Sequence, residues 1–110
     1  MNTDVTIKQE INKRISTIIA ENKIVLFMKG NELYPSCGYS GLVVKILTEL
    51  ECDFKTVDVL EDFDIRQGIK DFSDWQTIPQ LYVKGEFIGG CDIINEMYKS
   101  GELQKIIKDE

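Results

Sequence analysis

Histidine is missing from the chain altogether. Ser–His and Cys–His nucleophilic catalysis are thereby excluded, and any metal must be held by thiolate, carboxylate or a ligand brought from outside. A basic excess is missing too: 13 Lys and Arg stand against 19 Asp and Glu, a formal net charge of -6. Binding to phosphates needs a basic patch, so a nucleic-acid surface is disfavoured, and an anionic membrane surface with it. No apolar run approaches the ~18 residues of a membrane span, and Met1-Asn2-Thr3-Asp4 lacks the basic-then-apolar layout of a signal peptide. The expected location is therefore the cytoplasm or a comparably reducing compartment. Cysteine is scarce and odd in number, at three. In a reducing compartment such cysteines are free thiols or metal ligands rather than structural disulfides.

The last absence concerns a single position. Cys37-Gly38-Tyr39-Ser40 lies between a strand-like and a helix-like run, where a redox protein would carry Cys-x-x-Cys, and Ser40 replaces the second cysteine. The motif cannot close on itself as a disulfide. Cys37 needs a sulfur partner from outside, either another thiol or a metal cluster.

What is present describes one small folded domain, residues 1–110, long enough to bury something over ~60% of its unfolded surface. Hydrophobic residues at 43% and charged residues at 29% are close to the globular norm, which argues against disorder. Ile7, Ile11, Ile15, Ile18 and Ile19 form an apolar stripe at helical spacing, a first helix. Ile24-Val25-Leu26-Phe27-Met28 is a continuous apolar run, expected for a strand covered on both faces and ended by Lys29-Gly30. Leu42, Val43, Ile46, Leu47 and Leu50 predict a second helix starting just after Cys37. Residues 54–59 read as a strand, and Ile65, Ile69 and Phe72 as a third helix. Gln80-Leu81-Tyr82-Val83 and Glu86-Phe87-Ile88 flank Lys84-Gly85, a two-residue hairpin turn. Ile93, Ile94, Met97 and Tyr98, then Leu103, Ile106 and Ile107, predict a terminal helix broken at Gly101. The class that follows is α/β, a thioredoxin-like four-stranded mixed sheet flanked by helices.

Cys37 gains its chemistry from this placement. At a helix N-terminus its sulfur faces unpaired N–H groups and the positive end of the dipole, which lowers its pKa below the free value of ~8.5. Pro35-Ser36 stiffens the approach, and Gly38 permits close contact. The alternative is a buried, inert cysteine, which the small, polar residues around it argue against.

The sequence resembles the monothiol glutaredoxins, whose active site is usually written Cys-Gly-Phe-Ser. Lys29-Gly30, Pro35-Ser36-Cys37-Gly38-Tyr39-Ser40, Asp64-Ile65-Arg66, Trp75-Gln76-Thr77-Ile78-Pro79-Gln80-Leu81 and Gly89-Gly90-Cys91-Asp92-Ile93 carry the likeness nearly end to end. Tyr39 stands where Phe is usual, and Gln76 where the family often has Pro. Neither departure removes a sulfur or a charge.

The resemblance implies a site for glutathione, a tripeptide with two carboxylates, an amine and a thiol. Lys29 and Arg66 would hold the glycyl carboxylate, with Lys70 assisting. The alternative for the Arg66–Lys70 pair, spaced i, i+4, is a solvated helix face. Thr77, Ile78 and Pro79 would lie along the cysteinyl part, with Pro79 matching the cis-proline of the fold and the Ile78 backbone pairing with the peptide. Without the family, these three read as an ordinary loop entering a strand. Cys37, Gly38 and Tyr39 would face the thiol end. Gly90, Cys91 and Asp92 would take the γ-glutamyl end, its carboxylate on backbone N–H groups and its amine on the Asp92 side chain. Asp92 also reads as a simple N-cap. Cys91 is an alternative disulfide partner for Cys37 under oxidation. Cys52 reads as structural or merely tolerated, and Trp75 as packing around the active-site loop, with a role in shaping the glutathione groove as the alternative.

Two functions follow from the resemblance. In the first, Cys37 of each of two subunits and two glutathiones hold a [2Fe-2S] cluster at a homodimer interface, for delivery to iron-sulfur apoproteins, with a BolA-like partner. In the second, Cys37 is the catalytic nucleophile of a glutathione-dependent thiol-disulfide oxidoreductase working with one cysteine.

Overall fold

The computed structural model describes residues 3–108. Its elements are α1 (Thr3–Glu21), β1 (Ile24–Met28), α2 (Gly38–Glu49), β2 (Lys55–Asp58), α3 (Phe63–Ser73), β3 (Gln80–Val83), β4 (Glu86–Gly89), α4 (Cys91–Ser100) and α5 (Glu102–Lys108). The sheet order is β2-β1-β3-β4. β2 runs parallel to β1, whereas β3 and β4 are antiparallel to their neighbours. This is the four-stranded mixed sheet expected from the sequence.

β1 is apolar throughout because both its faces are covered. Ile24, Leu26 and Met28 point to one side, where α2, α4 and α5 supply Val43, Leu47, Ile94 and Leu103. Val25 and Phe27 point to the other, against Ile15 and Ile19 of α1 and Ile65 and Ile69 of α3. Side chains alternate along a strand, so a strand between two helical layers has no polar face to show. The α1–α3 layer is close-packed at Gly68, whose missing Cβ would run into Ile11 and come within 3.2 Å of Ile15.

The hairpin turns as Lys84-Gly85 predicts, with φ of 54° and 82°, the paired positive values of a two-residue turn. Gly101, at φ 85°, separates α4 from α5 where the break was expected. β2 is shorter than residues 54–59: Val59 has left the strand and is buried beneath α1 and α3.

These connections set five chain ends at one edge of the molecule. β1 leaves the sheet into Lys29, and Phe27 is paired with Gln80, so β3 enters beside it from Pro79. α2 starts at Gly38, α4 starts at Cys91, and α3 finishes at Ser73 just before Trp75.

Candidate functional site

Cys37 is the N-cap of α2, and its sulfur accepts the backbone N–H of Ser40 at 3.3 Å. Ser40 Oγ lies 3.2 Å from the same sulfur. Burial pushes the Cys37 thiol up, but the Ser40 hydroxyl, the N–H groups of Ser40 and Tyr39 and the charge of Lys29 outweigh it. The net result is a thiol below its ordinary range, as its position at a helix start predicts. The other two sulfurs move the opposite way. Burial raises Cys52, and burial with the neighbouring Asp92 and Cys37 raises Cys91. All three cysteines are free thiols.

The loop ahead of Cys37 is built on Gly30. Its φ is 88°, and a Cβ there would lie 2.6 Å from Ser36 N, so only glycine lets the chain double back. Ser36 N donates to Lys29 O at 2.9 Å, and Gly30 N donates to the Asp58 carboxylate at 2.9 Å. Asn31 Oδ1 accepts from the N–H groups of Leu33 and Tyr34, closing the turn. The tip of this loop is apolar and open, with Leu33 at 78% and Tyr34 at 77% exposure.

A groove of about 690 Å³ runs from this edge between α3 and α4. Nine residues expected in the site line it: Lys29, Tyr39, Lys70, Thr77, Ile78, Pro79, Gly90, Cys91 and Asp92. The Ile78–Pro79 bond is cis. Cys37 and Gly38 stand outside the lining, beside Tyr39. A Cβ on Gly38 would meet nothing within 4 Å, so the space above it is open. Arg66, one turn before Lys70 on α3, is half-buried and also lies outside the lining. The groove's cations are therefore Lys29 and Lys70.

Asp92 is not the N-cap of α4. That position belongs to Gly90, which is extended at φ -96°, ψ -168°, and accepts the N–H of Ile94 at 3.0 Å. Asp92 sits in the exposed first turn, its carboxylate left for the groove. Gly90 packs closely on Trp75: a Cβ would lie 3.2 Å from the indole Nε1, and the ring would have to shift by a few tenths of an ångström to admit it. Trp75 itself lines the groove and packs on Phe87 at 5.6 Å between ring centroids. Asp74, left-handed at φ 54°, ends α3, and Trp75 N donates to Lys70 O at 3.1 Å, turning the indole inward.

Sequence reasoning overlooked Gln80. Its side chain is fully buried, and Nε2 donates to Trp75 O at 2.9 Å and Thr77 O at 3.3 Å. The signal was available: an amide at a strand position facing Phe27 and Tyr82 in an otherwise apolar core must find partners there.

The Glutaredoxin family model matches residues 24–88. A protein of Rickettsia typhi called probable monothiol glutaredoxin 2 is 53% identical over 98 residues, covering 89% of this chain and 88% of its own. The solution structure of reduced poplar apo GrxS14 superposes with a TM-score of 0.80 at 48% identity, covering 89% of this chain and 90% of that one. The buckwheat glutaredoxin–glutathione complex shares the fold, with a TM-score of 0.83 at 23% identity over 93% of this chain and 91% of that one. On its sequence, its fold and its single cysteine at the head of α2, this chain belongs to the glutaredoxin family, among the monothiol members.

Proposed function

We propose that this protein is a carrier that binds glutathione in the groove and holds a [2Fe-2S] cluster between two copies of the chain. The observation that carries the reading is Cys37: a half-exposed sulfur with a depressed pKa, next to a cationic groove and with Ser40 in place of a resolving thiol. Among the described residues no group of three or more Cys, Asp or Glu is placed to hold a metal ion. Of the three sulfurs only Cys37 is shifted toward the thiolate, while Cys52 and Cys91 are shifted away from it, so with one thiolate from each chain a four-thiolate set needs a second chain and two further sulfurs.

Glutathione suits the role because, bound in the groove, it supplies such a sulfur. The groove has the polarity its ends require. Lys29 and Lys70 hold a carboxylate, with Arg66 adding charge from one turn away. The backbone of Ile78 pairs with the cysteinyl unit, and Thr77 and Pro79 wall it. The start of α4 at Gly90 and Cys91 receives the γ-glutamyl carboxylate, and Asp92 its amine. Cys37, Gly38 and Tyr39 face the thiol. The cluster is cargo, held by ligands that can leave and so passed on to iron-sulfur apoproteins. A BolA-like partner and a cytoplasmic location belong to the same reading.

The depressed Cys37 also favours a second reading. The thiolate attacks a glutathionylated protein, forming a Cys37–glutathione disulfide and expelling the protein thiolate, and a second glutathione thiolate then releases glutathione disulfide. No resolving cysteine is needed. Anaerobic reconstitution with iron, sulfide and glutathione separates the two: a glutathione-dependent coloured dimer supports the carrier, and rapid deglutathionylation without cluster formation supports the oxidoreductase.

A further inference from the structure

Gln80 holds two carbonyls with one amide, and the consequence lies on the opposite side of the loop. The peptide groups between residues 75 and 76 and between 77 and 78 are trans, so each carbonyl points away from the N–H that follows it. Trp75 O and Thr77 O turn inward to Gln80 Nε2, at 2.9 and 3.3 Å. The N–H groups of Gln76 and Ile78 must then turn outward. Both residues line the groove. Gln80 is itself held: it is fully buried, its Oε1 receives the Tyr82 hydroxyl at 3.5 Å, and its strand is locked to β1 through Phe27.

We infer that Gln80 is a positioning residue that aims the backbone N–H groups of Gln76 and Ile78 into the groove as a pair of donors for the acceptor atoms of an extended peptide ligand. This rests on the proposal that the groove takes glutathione. Gln76 N–H then becomes a ligand contact in its own right, two residues along from Ile78, on a segment whose side chains contribute little charge. A backbone donor keeps its direction only while the preceding carbonyl is fixed. An apolar side chain at position 80 leaves Thr77 O unpaired and Trp75 O with only the Ser73 hydroxyl at 3.5 Å, so both carbonyls are freer to rotate toward water.

The test is amide NMR with glutathione as the probe, on the full chain and on Gln80→Met. In the unchanged protein, the Gln76 and Ile78 amide signals are expected among the most shifted on titration. In Gln80→Met these two lose their response, and glutathione affinity falls about tenfold, the scale of one to two hydrogen bonds. The start of α4 keeps its response, a pattern that general loosening would not produce. If the unchanged protein binds glutathione but its Gln76 and Ile78 amides do not move, or if Gln80→Met binds with unchanged affinity, the inference is overturned while the glutathione site stands. If the unchanged protein does not bind glutathione, the site reading itself fails. Should Gln80→Met not fold, the response of the two amides in the unchanged protein decides alone.

Discussion

Ser40 Oγ lies 3.2 Å from Cys37 Sγ while accepting the backbone N–H of Lys29 at 3.1 Å. As a thiol Cys37 donates to that oxygen; once ionised its sulfur can only accept, and the Ser40 hydroxyl then donates to the thiolate. Ser40 is fully buried, which fixes this geometry. The residue in the place of a second cysteine thus tunes the first: it removes the internal disulfide and retains a donor that stabilises the anion.

Removing that donor raises the Cys37 pKa. Ser40→Ala leaves the sulfur with backbone donors and Lys29 only. Thiolate absorbance titrated against pH should move to higher pH than in the unchanged protein. An unmoved midpoint would remove Ser40 from the activation of Cys37.

The three sulfurs should separate in alkylation by iodoacetamide, because only the thiolate reacts. Cys37 is lowered, whereas Cys52 and Cys91 are raised. As pH falls from alkaline to neutral, Cys52 and Cys91 lose reactivity first and Cys37 last. Peptide mapping at neutral pH is expected to find the label on Cys37 ahead of the other two.

Lys70 lines the groove and Arg66 does not. Lys70→Ala is expected to weaken glutathione binding by about 1.5 kcal/mol, the low end for a bond to a charged group because the site is open to solvent. Arg66→Ala should act in the same direction by less. Calorimetric titration of both variants checks the order, and a larger loss for Arg66 would show that its side chain reaches the ligand.

Gly68→Ala places a methyl against Ile11 in the α1–α3 contact. Denaturant unfolding should show a loss of about 1 to 3 kcal/mol, the range for overpacking a core. A neutral effect would mean that α1 shifts freely.

Much of this was legible in the sequence because periodicity and turn chemistry are local signals. The Ile24–Met28 run, the Lys84-Gly85 turn and the break at Gly101 each depend on residues within a few positions. The site was legible only through family motifs, since the groove joins segments that spacing cannot bring together. Gln80 and Gly90 show where that reading stopped. Each meets Trp75 or its carbonyl, a partner five and fifteen residues away: the buried amide announces that Gln80 needs partners, but no local pattern says which residues supply them. Asp92 misled as an N-cap because residue type favours the role, whereas the extended backbone of Gly90 decides where α4 begins.

Native mass spectrometry of the anaerobically reconstituted protein tests the carrier reading most directly. The predicted mass is two chains, two glutathiones and one [2Fe-2S] cluster, lost when glutathione is withheld or Cys37 is replaced by Ser. A cluster on a single chain, or a cluster-bound dimer that survives either change, would contradict it.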